Sequence, residues 1–231
     1  MLSQPIVSLK NITKAFGANV AVSDASLSLA SGRVHALMGE NGAGKSTLMK
    51  ILAGVHQPDL GSVVLNGSTV SFQNPRQALE AGISTVFQEL SLLPNLSISE
   101  NMFLGKEILG SFGTLDRATM DQEAGAALAE LGLEVDPRTQ VADLTIAERQ
   151  FVEIAHGIKA DADVFILDEP TAALNAADVG VLNSQIGKLK AAGKAIVYIS
   201  HRMEEIFNPH SPDERRFRPI ATHDSMGKSI A

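Results

Sequence analysis

Nine residues in the first quarter of the chain, "GENGAGKST" from Gly39 to Thr47, combine glycines, a lysine and two hydroxyls in the order G-x-x-x-x-G-K-S. That spacing suits a loop built to hold phosphate. Glycines at 39, 42 and 44 allow successive backbone N–H groups to curl around an anion, and the helix expected after them adds the positive end of its dipole. Lys45 then reaches β- and γ-phosphates and the Ser46 hydroxyl holds Mg²⁺, with Glu40, Asn41, Ala43 and Thr47 completing the nucleotide-binding set. Far along the chain, "VFILDEP" ends a buried-looking run on Asp168 and Glu169. Asp168 is placed to hold the same Mg²⁺, and Glu169 to orient or deprotonate an attacking water. An acidic pair closing a strand can equally cap the next helix; the phosphate loop elsewhere in the chain is what favours hydrolysis.

A third stretch, "LTIAERQ" from Leu144 to Gln150, has no obvious chemistry of its own. Thr145 followed three residues later by Glu148 is a capping box, and the helical periodicity of "FVEIAHGI" after it predicts a helix start.

These groups need a scaffold, and the hydrophobic pattern supplies one. "PIVSLKNITKAF" and "VAVSDASLSLA" alternate as half-buried antiparallel strands do, and "GSVVLNGSTVSF" repeats the pattern around an Asn66-Gly67 turn. "RVHALMG", "GISTVFQ", "DVFILDEP" and "KAIVYISH" are more continuously apolar, as parallel strands covered on both faces are. Val179, Leu182, Ile186 and Leu189 mark one face of a helix that ends at Gly193 and leads into a strand near Ala195. Residues from about 91 to 150 lack strand signals and read as an inserted helical subdomain.

Bulk properties agree with one substantial core. A chain of 231 residues buries roughly 70 to 75% of its unfolded surface. The absence of cysteine excludes disulfides and Cys-ligated metal. The opening "MLSQPIVSLKN" has no basic start followed by an apolar run, and no stretch reaches a membrane span, so the expectation is a cytosolic, soluble chain. A net charge of -7 argues against non-specific nucleic-acid binding.

The order of the remaining motifs narrows the class. A glutamine ends one strand at Gln88 in "VFQE", a histidine ends another at His201 in "YISHR", "LTIAERQ" precedes the acidic strand, and "EPTAALN" follows Glu169. In this order the chain resembles the ATP-binding cassette family. It looks most like the N-terminal half of the two-cassette ATPases of bacterial monosaccharide importers of the ribose, galactose and xylose type, over roughly Pro5 to Phe207. The resemblance implies an α/β P-loop NTPase cassette with a RecA-like parallel-sheet core, an antiparallel β subdomain and a helical subdomain. It implies ATP and Mg²⁺, with hydrolysis coupled to sugar import. Gln88 would touch Mg²⁺ and the attacking water while relaying the nucleotide state to the membrane partner, His201 would contact the γ-phosphate, and Phe16 would stack on adenine. Each has a plainer alternative: a solvated loop amide, a satisfied surface histidine, and a phenylalanine packed into the core. Leu144, Thr145, Ile146, Ala147 and Glu148 match the signature that caps the γ-phosphate held by a second cassette. Implied partners are transmembrane permease subunits, that second cassette as another copy or a fused half, and indirectly a periplasmic sugar-binding protein. No nucleic acid is implied. The implied location is peripheral, at the cytoplasmic face of the inner membrane, with the sugar chosen by other subunits.

Three departures qualify the likeness. The family signature is usually Leu-Ser-Gly-Gly-Gln, whereas here Ile146 and Ala147 replace the glycines and Glu148 the glutamine, a carboxylate that weakens an adjacent phosphate contact. An impaired composite site is therefore expected, and Asn175, where the family commonly has Asp, is a milder change. After "HRMEEIF" the family continues with more strands and a second cassette. Here 208–231 carries Pro209, Pro212 and Pro219 and the basic Arg215, Arg216 and Arg218, and reads as a disordered tail after a cassette spanning 1–207. A shifted reading frame or interrupted gene would explain it. The competing readings are a truncated cassette that binds ATP without turnover and a soluble cassette outside transport. A kinase or GTPase would not place Gln88, the signature and His201 in this order.

Overall fold

In the computed structural model the described residues are 4–39, 42–86, 92–172 and 174–200, with the backbone of short strands at 217–219, 222–223 and 229–230. Two sheets form the body. β1 (Val7–Phe16) and β2 (Asn19–Leu29) pair antiparallel, and β4 (Leu60–Leu65) and β5 (Ser68–Val70) extend them in the order β2-β1-β4-β5. The β4–β5 connection is the expected Asn66-Gly67 turn, with φ of 50° and 81° at the two positions, as a two-residue hairpin turn with both central residues left-handed requires.

The second sheet is parallel: β3 (Val34–Leu37), β6 (Ile83–Val86), β7 (Val164–Asp168), β8 (Ala195–Ile199) and β9 (Phe217–Pro219), in the order β6-β7-β8-β3-β9. Every residue of β3, β7 and β8 is buried. Successive side chains of a strand point to opposite faces, so one run feeds two cores. Val164 and Ile166 pack with the antiparallel sheet and with Leu48, Met49 and Leu52 of α1 (Lys45–Leu52). Phe165 and Leu167 pack with α4 (Arg117–Glu130), α5 (Ile146–Lys159) and α6 (Ala176–Ala191). Two further short helices lie among the described residues, α2 (Pro75–Glu80) behind an Asn74 cap and α3 (Ile98–Met102) behind a Ser97–Glu100 capping box.

Between 92 and 150 lie α3, α4 and the start of α5, which runs on to the parallel sheet, joined by turns and irregular segments. Gly157 makes that docking close: a Cβ there would collide with Ser84 Oγ of β6 and come within 2.7 Å of Phe165 Cε1 of β7. Glycine in mid-helix costs about 1 kcal/mol against alanine, offset here by the tight approach.

Beyond Ser200 the structure differs from the sequence expectation in one respect. Strand β9 lies parallel to β3, with Val34 opposite Phe217, and β10 (Thr222–His223) pairs with β11 (Ser229–Ile230), while the rest of 201–231 lies outside the described residues. An open sheet edge offers backbone donors and acceptors to any neighbouring chain, whatever its side-chain pattern. Pro219 is compatible with β9 because the strand is at the edge. No helix among the described residues is long and apolar enough to cross a membrane.

Candidate functional site

The phosphate loop joins the end of β3 to the start of α1. Gly39, Gly42 and Gly44 all have positive φ, at 151°, 88° and 79°. Gly44 is also constrained by space, since a Cβ would lie 2.5 Å from the Ala21 carbonyl oxygen, whereas a Cβ on Gly42 would meet nothing within 4 Å. Gly44 leaves α1 without a side-chain cap among the described residues, and no acidic residue lies in the first turn. The N-terminal N–H groups of Lys45, Ser46 and Thr47 are therefore not claimed by a carboxylate of their own helix. The Lys45 ammonium is buried and donates to the Gly39 carbonyl at 2.6 Å. Glu40 and Asn41 lie outside the described residues.

Across from α1, β7 delivers Asp168 and Glu169 at its carboxyl end. The Ser46 hydroxyl lies near enough to the Asp168 carboxylate to stabilise its charged form, so the two groups expected to share a metal are close neighbours. Burial pushes the Asp168 carboxyl above the usual range, the neighbouring Ser46 hydroxyl pulls it back, and Glu169 pushes it up again. Burial likewise pushes Lys45 below the usual lysine range, against the pull of Glu169 and Asp168. Lys45 and Asp168 are thus held in a poorly hydrated corner where their charged forms are under-solvated. Such opposed shifts in a cleft mark a site that binds charge.

Glu169 has φ 48°, a left-handed conformation uncommon for a residue with a side chain. Its N–H donates to the Ile199 carbonyl at 3.0 Å and its own carbonyl accepts from Ala172 N–H at 3.1 Å, which pins the turn between neighbouring strands. Below it, the buried Tyr198 hydroxyl lies 3.4 Å from Thr171 Oγ1. Strain retained at one residue and held by surrounding bonds is characteristic of functional turns. Asn175 is the N-cap of α6, its side chain accepting from Ala177 and Asp178 N–H at 2.9 and 3.0 Å. That local role was not read from the sequence, although Asn is among the preferred caps.

The capping box at "LTIAERQ" is present. Glu148 N–H donates to Thr145 Oγ1 at 3.2 Å, and one Glu148 carboxylate oxygen accepts from Thr145 N–H at 2.7 Å and from its hydroxyl at 2.8 Å. Leu144 is buried, Ile146 is 52% exposed, and Ala147 packs partly buried against the core. Phe16 is not a core residue. Its ring is 44% exposed, with the His56 ring edge-on at 5.1 Å and the Lys14 ammonium 5.6 Å from its centroid. Gln88 and His201 lie outside the described residues, between Val86 and Leu92 and just after Ser200.

A groove of about 780 Å³ opens on the other side of α5. Apolar Leu79, Leu92, Met102 and Phe103 line it with the buried Glu153 and the partly buried His156, and Thr85 and Leu92 bracket the segment that contains Gln88. Nothing in the sequence pattern announced it, because its walls come from α2, β6, α3 and α5.

Comparison with known proteins follows the same lines. The profile of the ABC transporter family matches residues 22–172. Ribose import ATP-binding protein RbsA 1 of Streptomyces coelicolor is 47% identical over 206 residues, 89% of this chain and 41% of that protein. Ribose import ATP-binding protein RbsA of Bacillus cereus is 48% identical over 203 residues, 87% of this chain and 41% of that one. The chain thus spans about two-fifths of the length of these curated relatives. A crystal structure of an ATP-binding cassette of an ABC transporter in its ADP conformation covers 96% of this chain with TM-score 0.77 and 23% identity, a likeness of fold. Because the profile match runs from the second strand through the phosphate loop to the turn after the acidic pair, the chain belongs to the ABC transporter family.

Proposed function

We propose that the chain is an ATP-binding and ATP-hydrolysing cassette that energises import of a monosaccharide of the ribose class. The observation that carries this reading is the meeting of a helix N-terminus with no side-chain cap among the described residues, Lys45, and the Ser46–Asp168 pair beside Glu169. The donors fit the implied metal: a hydroxyl and a carboxylate are hard oxygen ligands suited to Mg²⁺. Ser46 and Asp168, with Gln88, are the residues that would hold it, and the ion would neutralise charge on phosphate oxygens. Lys45 and the N–H groups of residues 44 to 47 orient the phosphates, Glu169 accepts a proton from water, and Phe16 offers a ring face to adenine. His201 completes the set as a γ-phosphate contact. The relatives named for ribose import supply the substrate class.

The groove beside α5 is the proposed seat for a transmembrane permease subunit, since its apolar floor adjoins the Gln88 segment. That places the chain peripherally at the cytoplasmic face of the membrane, with a periplasmic sugar-binding protein acting on the permease's far side. A second cassette would face the phosphate loop. The measurement that tests nucleotide binding is thermal melting with and without Mg-ATP. At a hundredfold excess over Kd, linkage adds about 2.7 kcal/mol, several degrees at this size. An unchanged melting temperature refutes the reading. A second reading, ATP binding without significant turnover, is favoured by the Glu148 carboxylate lying across the N-terminus of α5.

A further inference from the structure

We infer that His56 is a positioning residue of the nucleobase platform, holding the Phe16 ring in the orientation in which its face meets a purine. The inference rests on the reading of Phe16 as the adenine-stacking residue.

Phe16 ends β1 and is 44% exposed, so the core does not fix its ring. Its neighbours are one residue from beyond α1 and one from its own strand. His56 makes an edge contact at 5.1 Å with planes inclined by 68°, the favourable T-shaped geometry. Lys14 stands 5.6 Å from the ring centroid, and its ammonium is tied to Asp59 at 2.7 Å. The other Asp59 oxygen accepts from Ala15 N–H at 2.7 Å, and Asp59 N–H donates to the Thr13 carbonyl at 2.9 Å. These bonds fall where β1 loses register with β2, between Lys14 and Ala15. An irregularity of that kind re-aims the side chains that follow it.

His56 and Asp59 both belong to the segment after α1. That segment is anchored on the helix's last turn, since Val55 and His56 N–H both donate to the Lys50 carbonyl, at 2.8 and 3.2 Å. Pro58 stiffens it. One short stretch therefore runs from the far end of the helix that faces phosphate to the ring that faces the base. His56 is the member that meets the ring without supporting the strand, so its loss changes base affinity and leaves the phosphate end alone.

Calorimetric titration of the chain with Mg-ATP and, separately, with magnesium tripolyphosphate distinguishes the two ends. His56→Ala weakens Mg-ATP binding by roughly three- to tenfold, the scale of one aromatic pair, and leaves tripolyphosphate unchanged. His56→Phe restores most of the loss, and in a Phe16→Ala background His56→Ala adds nothing further. The inference is overturned if His56→Ala weakens both probes equally, leaves Mg-ATP unchanged, or costs its full factor in the Phe16→Ala background. A parent chain that binds ATP no tighter than tripolyphosphate overturns it together with the role of Phe16. A parent that binds neither overturns the nucleotide reading itself.

Discussion

Two helix N-termini in this molecule obey the same electrostatics and come out opposite. α1 begins behind Gly44, has Ser46 and Thr47 as its second and third residues, and carries no acid in its first turn. α5 begins behind Thr145 and has Glu148 as its third residue, whose carboxylate accepts from the Thr145 N–H and hydroxyl. In both places the first N–H groups of the helix and its dipole favour negative charge. The difference is who supplies it. At α1 the chain leaves the position to a ligand, while at α5 a side chain of the helix already fills it. A helix start is thus an anion site only where local sequence declines to cap it, and one residue at the third position decides.

The largest effect expected from that contrast is on turnover. If a second copy can offer only Leu144 to Glu148 over the γ-phosphate, one preorganised set of donors is lost, which costs a factor on the order of a hundred to a thousand in rate. Steady-state phosphate release by the purified chain should sit barely above background. A turnover of about one per second or faster, abolished by Glu169→Gln, would break the comparison, because a self-capped helix would then be serving a phosphate.

Next in size is Lys45→Ala, which should remove most of the stabilisation of about 2.7 kcal/mol that Mg-ATP confers at a hundredfold excess over Kd. Thr145→Ala should do the reverse: lower the melting temperature by the equivalent of about 1 kcal/mol of lost cap while leaving the Mg-ATP shift intact. Comparing melts of the two variants with and without nucleotide sharpens the contrast between an end kept for a ligand and an end kept for the fold. Loss of the nucleotide shift in Thr145→Ala alone would contradict it.

The smallest effect belongs to the other end of α5. His156, partly buried beside the groove and near Lys106, is held below the usual histidine pKa of 6.5, desolvation being the larger cause. A histidine whose folded pKa is depressed contributes stability above 6.5 and loses it as pH falls through the folded value, because the unfolded chain takes the proton first. His156→Gln should flatten the acid side of a melting profile between about pH 5 and 7. An unaltered profile would show that α5 is not held by that neutral ring.

Much of this could be read from the sequence where one principle acts locally. The parallel strands are apolar on both faces, Asn66-Gly67 permits one kind of turn, and Thr145 and Glu148 announce their own box. The adjacency of Ser46 and Asp168 followed from motif order. What escaped depends on residues distant in sequence. Gly157 is an unpromising helix residue until Ser84 and Phe165 are seen against it. The exposure of Phe16 turns on a strand irregularity held by Asp59, and the pairing of β9 with β3 on a vacant edge, neither encoded in side-chain periodicity.

The turn after Glu169 has an optical consequence. The chain has one tyrosine and no tryptophan, and that tyrosine is Tyr198, buried on β8 against Thr171. All of the protein's near-ultraviolet emission of tyrosine type therefore originates a few side chains from the acidic pair. The molecule carries an intrinsic lamp beside the proposed catalytic turn, and a change in its brightness on adding nucleotide would report movement of that turn without any label.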